Sequence, residues 1–244
     1  NHLVNTILWI LPLIILFKKK TYFFSKKFSY FVIFNFIIIF LLLAKSNVYR
    51  PDAMLYHLPY TDILNNEKII FGLTNLHFRF GHISIIQYFS AFFNNYLFES
   101  KAIVFASAII ASTVIINFSS QTLFYIKKKI FNFHFFYLFS IIIFIAYKMN
   151  RYGEYGNDAP THFLFFFLIS EIIKSIYDSK NYDISNNFIL SIFILLNKVT
   201  MAFAILLPFM FIKKNNIISV LKLKKFYFGI SFLILWIIKN FAVS

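Results

Sequence analysis

Cysteine is absent from the 244 residues, and acidic side chains are scarce: nine Asp and Glu stand against 24 Lys and Arg. Without thiols the chain builds neither a disulfide framework nor a cysteine-ligated metal site. Charged residues make up 14% of the chain, well below the roughly 25% of an ordinary soluble protein. Glycine and proline number only five each. The chain has no Walker-type phosphate loop, no GxSxG elbow, no HExxH pair and no EF-hand loop, so the chemistries tied to those motifs have no foothold here.

What is present is apolar. Apolar residues reach 60% of the sequence and the mean hydropathy is +0.73, against about 45–50% apolar residues in a soluble domain. They come in blocks whose length suits a hydrocarbon core of about 30 Å at 1.5 Å per helical residue. A helix satisfies its own backbone in lipid, and the blocks lack the strict alternation of a barrel strand. The expected fold is therefore all-α, a polytopic transmembrane bundle forming a single domain over 1–244. Its expected spans are 3–17, 28–44, 101–126, 130–147, 161–177, 187–197, 199–212 and 226–238. Residues 83–97, amphipathic and short, predict a helix at the membrane interface. The net charge of +15 does not indicate nucleic acid, because the lysines flank apolar blocks. The expected partner is the bilayer. The chain begins at Asn1 and stops at Ser244 just after an apolar run. It reads as the N-terminal portion of a longer protein, and that portion alone is expected to be inactive.

Lysine placement sets the orientation. Lys18–Lys20, Lys26, Lys27 and Lys127–Lys129 lie beside span ends and belong in the cytoplasm by the positive-inside rule. Residues 187–212 carry Asn197 and Lys198 at their middle. Read as two short helices meeting there, they return Lys213, Lys214, Lys222, Lys224 and Lys225 to the cytoplasm. Counting spans then puts three polar features on one outer face: the 45–100 segment, the 148–160 loop and the Lys198 turn.

Those features hold the candidate site residues. In PDAMLYHLP (51–59), Asp52 can serve as a base, with Tyr56 and His57 four and five residues on. Asp52 reads equally as a helix N-cap, and Pro59 is expected to end or kink its helix. In GLTNLHFRFGH (72–82), Arg79 suits a phosphate or a lipid headgroup. His57, His77 and His82 raise the question of a divalent metal but lack tight ligand spacing, so no metal or other cofactor is expected. In NRYGEYGNDAP (150–160), Glu154 and Asp158 are acids on the same face, and Asp158 also reads as a cap. Lys198, in LLNKVT (195–200), lies within an apolar block. Placing a lysine there costs about 2.5–3.5 kcal/mol, which points to a cavity or partner unless the turn reaches water.

These motifs, in this order, resemble the GT-C membrane glycosyltransferases, the superfamily of the protein O-mannosyltransferases and the aminoarabinose transferases of lipid A. PDAMLYHLP is similar to the D-A-x-x-Y-H-L-P motif in the first external loop of bacterial members. GNDAP (156–160) is similar to a second acidic position in a later loop, and LLNKVT to a Leu-Thr-Lys-like turn. The resemblance covers most of 28–212. It departs in Asn197 before the lysine, in Ala53 where many members have a second acid, and in the extra span 3–17. It implies transfer of a sugar from a polyprenyl-phosphate donor to a glycan, lipid or protein acceptor, on the outer face of a bacterial inner membrane. Asp52 would be the catalytic base. Tyr56, His57, Arg79, Glu154, Asp158 and Lys198 would contact donor or acceptor. Two other readings stand beside it: a transporter or flippase of lipid-linked glycans, for which a broken helix is a signature, and a non-catalytic membrane subunit.

Overall fold

The order of apolar blocks translates into an order of helices that run up and down between two ends. The computed structural model describes residues 26–44, 51–67, 69–81, 84–93, 103–152, 155–177, 183–210 and 224–243. Among them every regular element is helical: α1 (Lys26–Ala44), a π-helical turn (Ala53–His57), α2 (Leu58–Asn66), short 3₁₀ turns (Leu73–Asn75 and Phe78–Gly81), α3 (Ile85–Phe93), α4 (Phe105–Lys128), α5 (Phe133–Tyr152), α6 (Asp158–Tyr177), α7 (Ile184–Asn197), 3₁₀ segments (Val199–Ile205 and Leu207–Phe209) and α8 (Lys224–Val243). The expected span 3–17 lies outside the described residues. Among the described residues three helices, α4, α6 and α8, are long and apolar enough to cross a membrane. Those of 20 and 24 residues measure about 30–36 Å at 1.5 Å per residue. The apolar parts of α1, α5 and α7 and the 3₁₀ segments are shorter.

The packing is apolar on the outside as well as within. Tyr30, Phe34, Leu42, Phe228, Leu235 and Phe241 all face outward from α1 and α8. Large apolar side chains exposed in such number mark an interaction with a membrane or with another protein. One core cluster joins α7 and α8 through Phe188, Ile192, Phe226 and Trp236 to Tyr60, Phe80 and Ile85. A second joins Leu43, Ala108, Ala111, Phe118, Leu138 and Phe163. In this second cluster the small residues Ala108 and Ala111 of α4 stand with Leu43 of α1. His134, fully buried, links three helices through Tyr125 Oη on Nδ1 and Ser170 Oγ on Nε2, each at 2.9 Å.

α7 ends at Lys198, which is extended (φ −150°, ψ 109°). The chain then folds back along α7, so that Phe188 meets Phe209 with ring centroids 5.5 Å apart. The returning arm is 3₁₀, with non-helical geometry at Met201, and not the α-helix expected over 199–212. Its described part reaches Met210. At the other end of α7, Asp183 caps the helix by accepting from the Asn186 amide, and its second carboxylate oxygen lies 3.2 Å from Lys225 Nζ of α8. α8 presses closest where it has no side chain. A Cβ at Gly229 would stand 2.9 Å from Ile192 Cδ1 and 3.4 Å from Phe188 Cε1. Gly229→Val therefore overpacks this contact, which costs about 1–3 kcal/mol. The expected result is a lower thermal midpoint for the detergent-purified protein, partly recovered by adding Ile192→Ala. An unchanged midpoint would mean that α7 and α8 do not meet this tightly.

Candidate functional site

Pro59 has no amide hydrogen, so Leu55 loses its usual i+4 donor. The chain does not stop there. Helical structure runs from Pro51 to Asn66, and a wide turn absorbs the proline, with the Leu58 amide bonding back to the Ala53 carbonyl. Such π-bulges recur at functional sites. The wide turn sets residues four and five apart on one face, so Asp52, Tyr56 and His57 line the same space. Pro59 thus reshapes the helix instead of ending it.

That space is a cavity of about 720 Å³, within the usual range for ligand sites. The last turns of α5, α7 and α8, the start of α6, the π turn and the 78–81 turn all contribute to it. Asp52, Tyr56, His57, Arg79, Asp158 and Lys198 all reach its wall. Glu154 and His82 lie outside the described residues.

Both acids are engaged by cations. Asp52 sits in helical geometry (φ −60°, ψ −33°) and makes no capping bond. Its Oδ1 lies 3.1 Å from Arg79 Nη1. A cap requires extended backbone at that position, so the side chain is free to turn to the arginine. Asp158, the first residue of α6, is held by two cations: Oδ1 lies 2.6 Å from Lys198 Nζ, and Oδ2 lies 4.0 Å from Arg151 Nη2. Arg79 also stacks over Tyr56, 5.2 Å from the ring centroid, where the ring face attracts a cation. Around the cavity three cations face two carboxylates, leaving a net positive wall. All four charged side chains of the two short pairs remain partly open to solvent.

The deeper wall is neutral and held by amides. Asn197, 2% exposed, accepts from Ser84 Oγ at 3.0 Å and from the Ile86 amide at 3.2 Å, while its own amide donates to the Phe193 carbonyl. Its backbone carbonyl accepts from Asn157 Nδ2 at 3.1 Å. This one side chain ties α3 to the Lys198 turn, and its carbonyl ties the turn to the 155–157 segment. Tyr155 Oη and Thr61 Oγ1 lie 3.1 Å apart, and burial pushes the Tyr155 hydroxyl above its ordinary pKa. Burial likewise raises Tyr56, over the opposing pull of Arg79.

Sequence reasoning did not single out Arg151, Gln87 or Asn157. Arg151 lay in plain view as the one cation of the 148–160 loop beyond Lys148. Gln87 was visible only as a polar interruption of an apolar helix. The helix expected at the membrane interface over 83–97 is α3, and six of its nine side chains are buried. Its Gln87 side chain meets His57, with Nε2 2.9 Å from Nδ1. His77 accepts the Arg79 amide on Nδ1 and so shapes the turn that carries Arg79. Among the described residues no group of three or more His, Asp or Glu is placed to hold a metal ion.

The chain belongs to the family described as Domain of unknown function (DUF8201), whose model matches residues 1–244. No curated protein and no solved structure matches it.

Proposed function

We propose that this family member is a polytopic membrane glycosyltransferase of GT-C type. It moves a sugar from a polyprenyl-phosphate donor to a glycan, lipid or protein acceptor on the extracytoplasmic face of a bacterial inner membrane. In this reading the apolar segments cross the bilayer, and the lysine-flanked ends lie in the cytoplasm. One observation carries the reading above the others. Asp52 and Asp158, 106 positions apart in sequence, stand at one cavity, each paired with a cation.

The chemistry follows from that pairing. An acceptor hydroxyl or amine attacks the anomeric carbon of the donor sugar. Asp52 takes the acceptor's proton, the anomeric carbon–oxygen bond to phosphate breaks, and its electron pair leaves with the phosphate. Placing a carboxylate within reach of the acceptor is a general-base arrangement. The departing phosphate gains charge, and preorganised cations are the groups that stabilise charge as it develops. Lys198 and Arg151, on the Asp158 side, are assigned to the phosphate. Arg79 orients Asp52 against the Tyr56 ring.

The test uses membranes bearing the full-length protein and a panel of labelled hexoses and pentoses on polyprenyl phosphate. Label is expected to leave the donor and appear covalently in surface glycan, lipid or protein. The break at Lys198 is the observation that favours a transporter or flippase instead. If the donor crosses the bilayer intact and no label is transferred, that second reading replaces the first. The charged groups Asp52, Arg79, Arg151, Asp158 and Lys198 gather at this one cavity, which favours transfer.

A further inference from the structure

His57 stands at the cavity wall, and one neighbour assigns the role of its Nδ1. Gln87 Oε1 accepts from the Ser84 amide at 2.9 Å. A backbone N–H only donates, so this bond fixes which end of the Gln87 amide faces which way. Its NH₂ group therefore faces His57 Nδ1, 2.9 Å away. An NH₂ group also only donates. Nδ1 must then accept, and the single proton of the neutral ring sits on Nε2.

Nε2 faces the side of the cavity that Gly156 lines. A Cβ at Gly156 would stand 3.9 Å from Nε2, and both residues line the cavity. No group among the described residues bonds Nε2. The ring is 4% exposed, packed against Tyr56 at 4.1 Å and edge-on to Tyr155 at 6.1 Å. Among the described residues, the charged groups around it are Asp52 from its own helical stretch, Asp158 from α6 and Arg79 from the 78–81 turn. Burial outweighs the two acids and brings the imidazole down to about 4.

We infer that His57 is a fixed, uncharged hydrogen-bond donor, set by Gln87, and that the space beside Gly156 takes an oxygen acceptor of the ligand, either a phosphate oxygen or a sugar hydroxyl. The subsite refuses an ammonium group, which offers no lone pair. Naming those two oxygens rests on the transfer reading; the tautomer does not.

The experiment is nitrogen NMR on histidine-labelled full-length protein in a detergent free of sugar and phosphate, with His57→Gln used to assign the signal. At pH 7 His57 is expected to carry its proton on Nε2 and to keep that state on acidification to about pH 5. Gln87→Glu places a carboxylate at Nδ1, and both nitrogens are then expected to be protonated at pH 7. A proton on Nδ1, or a charged ring, in the unaltered protein would overturn the assignment. Two probes then address the subsite: a short-chain prenyl monophosphate and an alkyl glucoside. Either one is expected to move the Nε2 proton signal, and the one that does identifies the oxygen. Gly156→Ala introduces a methyl at ordinary contact distance, so it folds, yet it crowds Nε2 and is expected to weaken the response about tenfold or more. Silence towards both probes would remove the subsite even with the tautomer as stated. Loss of the transfer reading alone would leave the tautomer result untouched.

Discussion

Asp52→Asn in the full-length protein, in membranes and at equal expression, is expected to lower sugar transfer by about a hundredfold or more, the scale of a lost general base. The substitution keeps the shape of the side chain and a hydrogen-bond acceptor for Arg79, whose Nη1 lies 3.1 Å from Oδ1. It removes only the capacity to take a proton. The fold should be indifferent to it. Asp52 makes no capping bond, and exposed ion pairs contribute about 0–1 kcal/mol. The thermal midpoint is therefore expected to stay within a few degrees of the parent. Equal transfer by parent and variant would reduce Asp52 to an anchor for Arg79, and the transporter and subunit readings would move ahead.

Lys198→Met is expected to cost about a hundredfold in transfer, comparable to the loss of one preorganised donor at a developing oxyanion. Lysine 198 has two conceivable duties. One is to meet the departing phosphate, and the other is to hold Asp158, 2.6 Å away. The two are separable. Lys198→Arg keeps the charge and should retain part of the activity. If the lysine only restrains Asp158, the double variant Lys198→Met with Asp158→Asn should recover transfer, because neighbouring substitutions are not additive. If the lysine meets phosphate, the double variant stays as low as the single one. Normal transfer by Lys198→Met would exclude both duties.

Much of the fold was legible in the residues. Apolar blocks near the length of a bilayer core mark helices, because no other open structure satisfies its backbone over such a run. The blocks at 101–126, 161–177 and 226–238 match α4, α6 and α8. The nature of the 199–210 arm was not legible. A short apolar run does not distinguish α from 3₁₀, and the geometry depends on how the arm lies along α7.

The two acids show why local spacing reaches only part of the site. Asp before an apolar helix reads as a cap or as a reactive group, and both satisfy the same pattern. Its backbone geometry decides, and at Asp52 that geometry is helical. Pro59 is the opposite case. Its missing amide is certain from sequence, but whether the helix stops or widens depends on the packing around it.

By itself, then, the sequence determined the helical class, the approximate bounds of the long helices, and which polar segments share one end. Those properties follow from composition, block length and charge placement, all of which are local. The tertiary structure alone decided the partners: Arg79 for Asp52 across 27 residues, Gln87 for His57 across 30, and Lys198 for Asp158 across 40. A helical repeat relates residues three or four apart. Partners separated by whole helices meet only when particular faces pack, and those faces are selected by contacts such as Gly229 against Ile192 and Asn197 against Ser84.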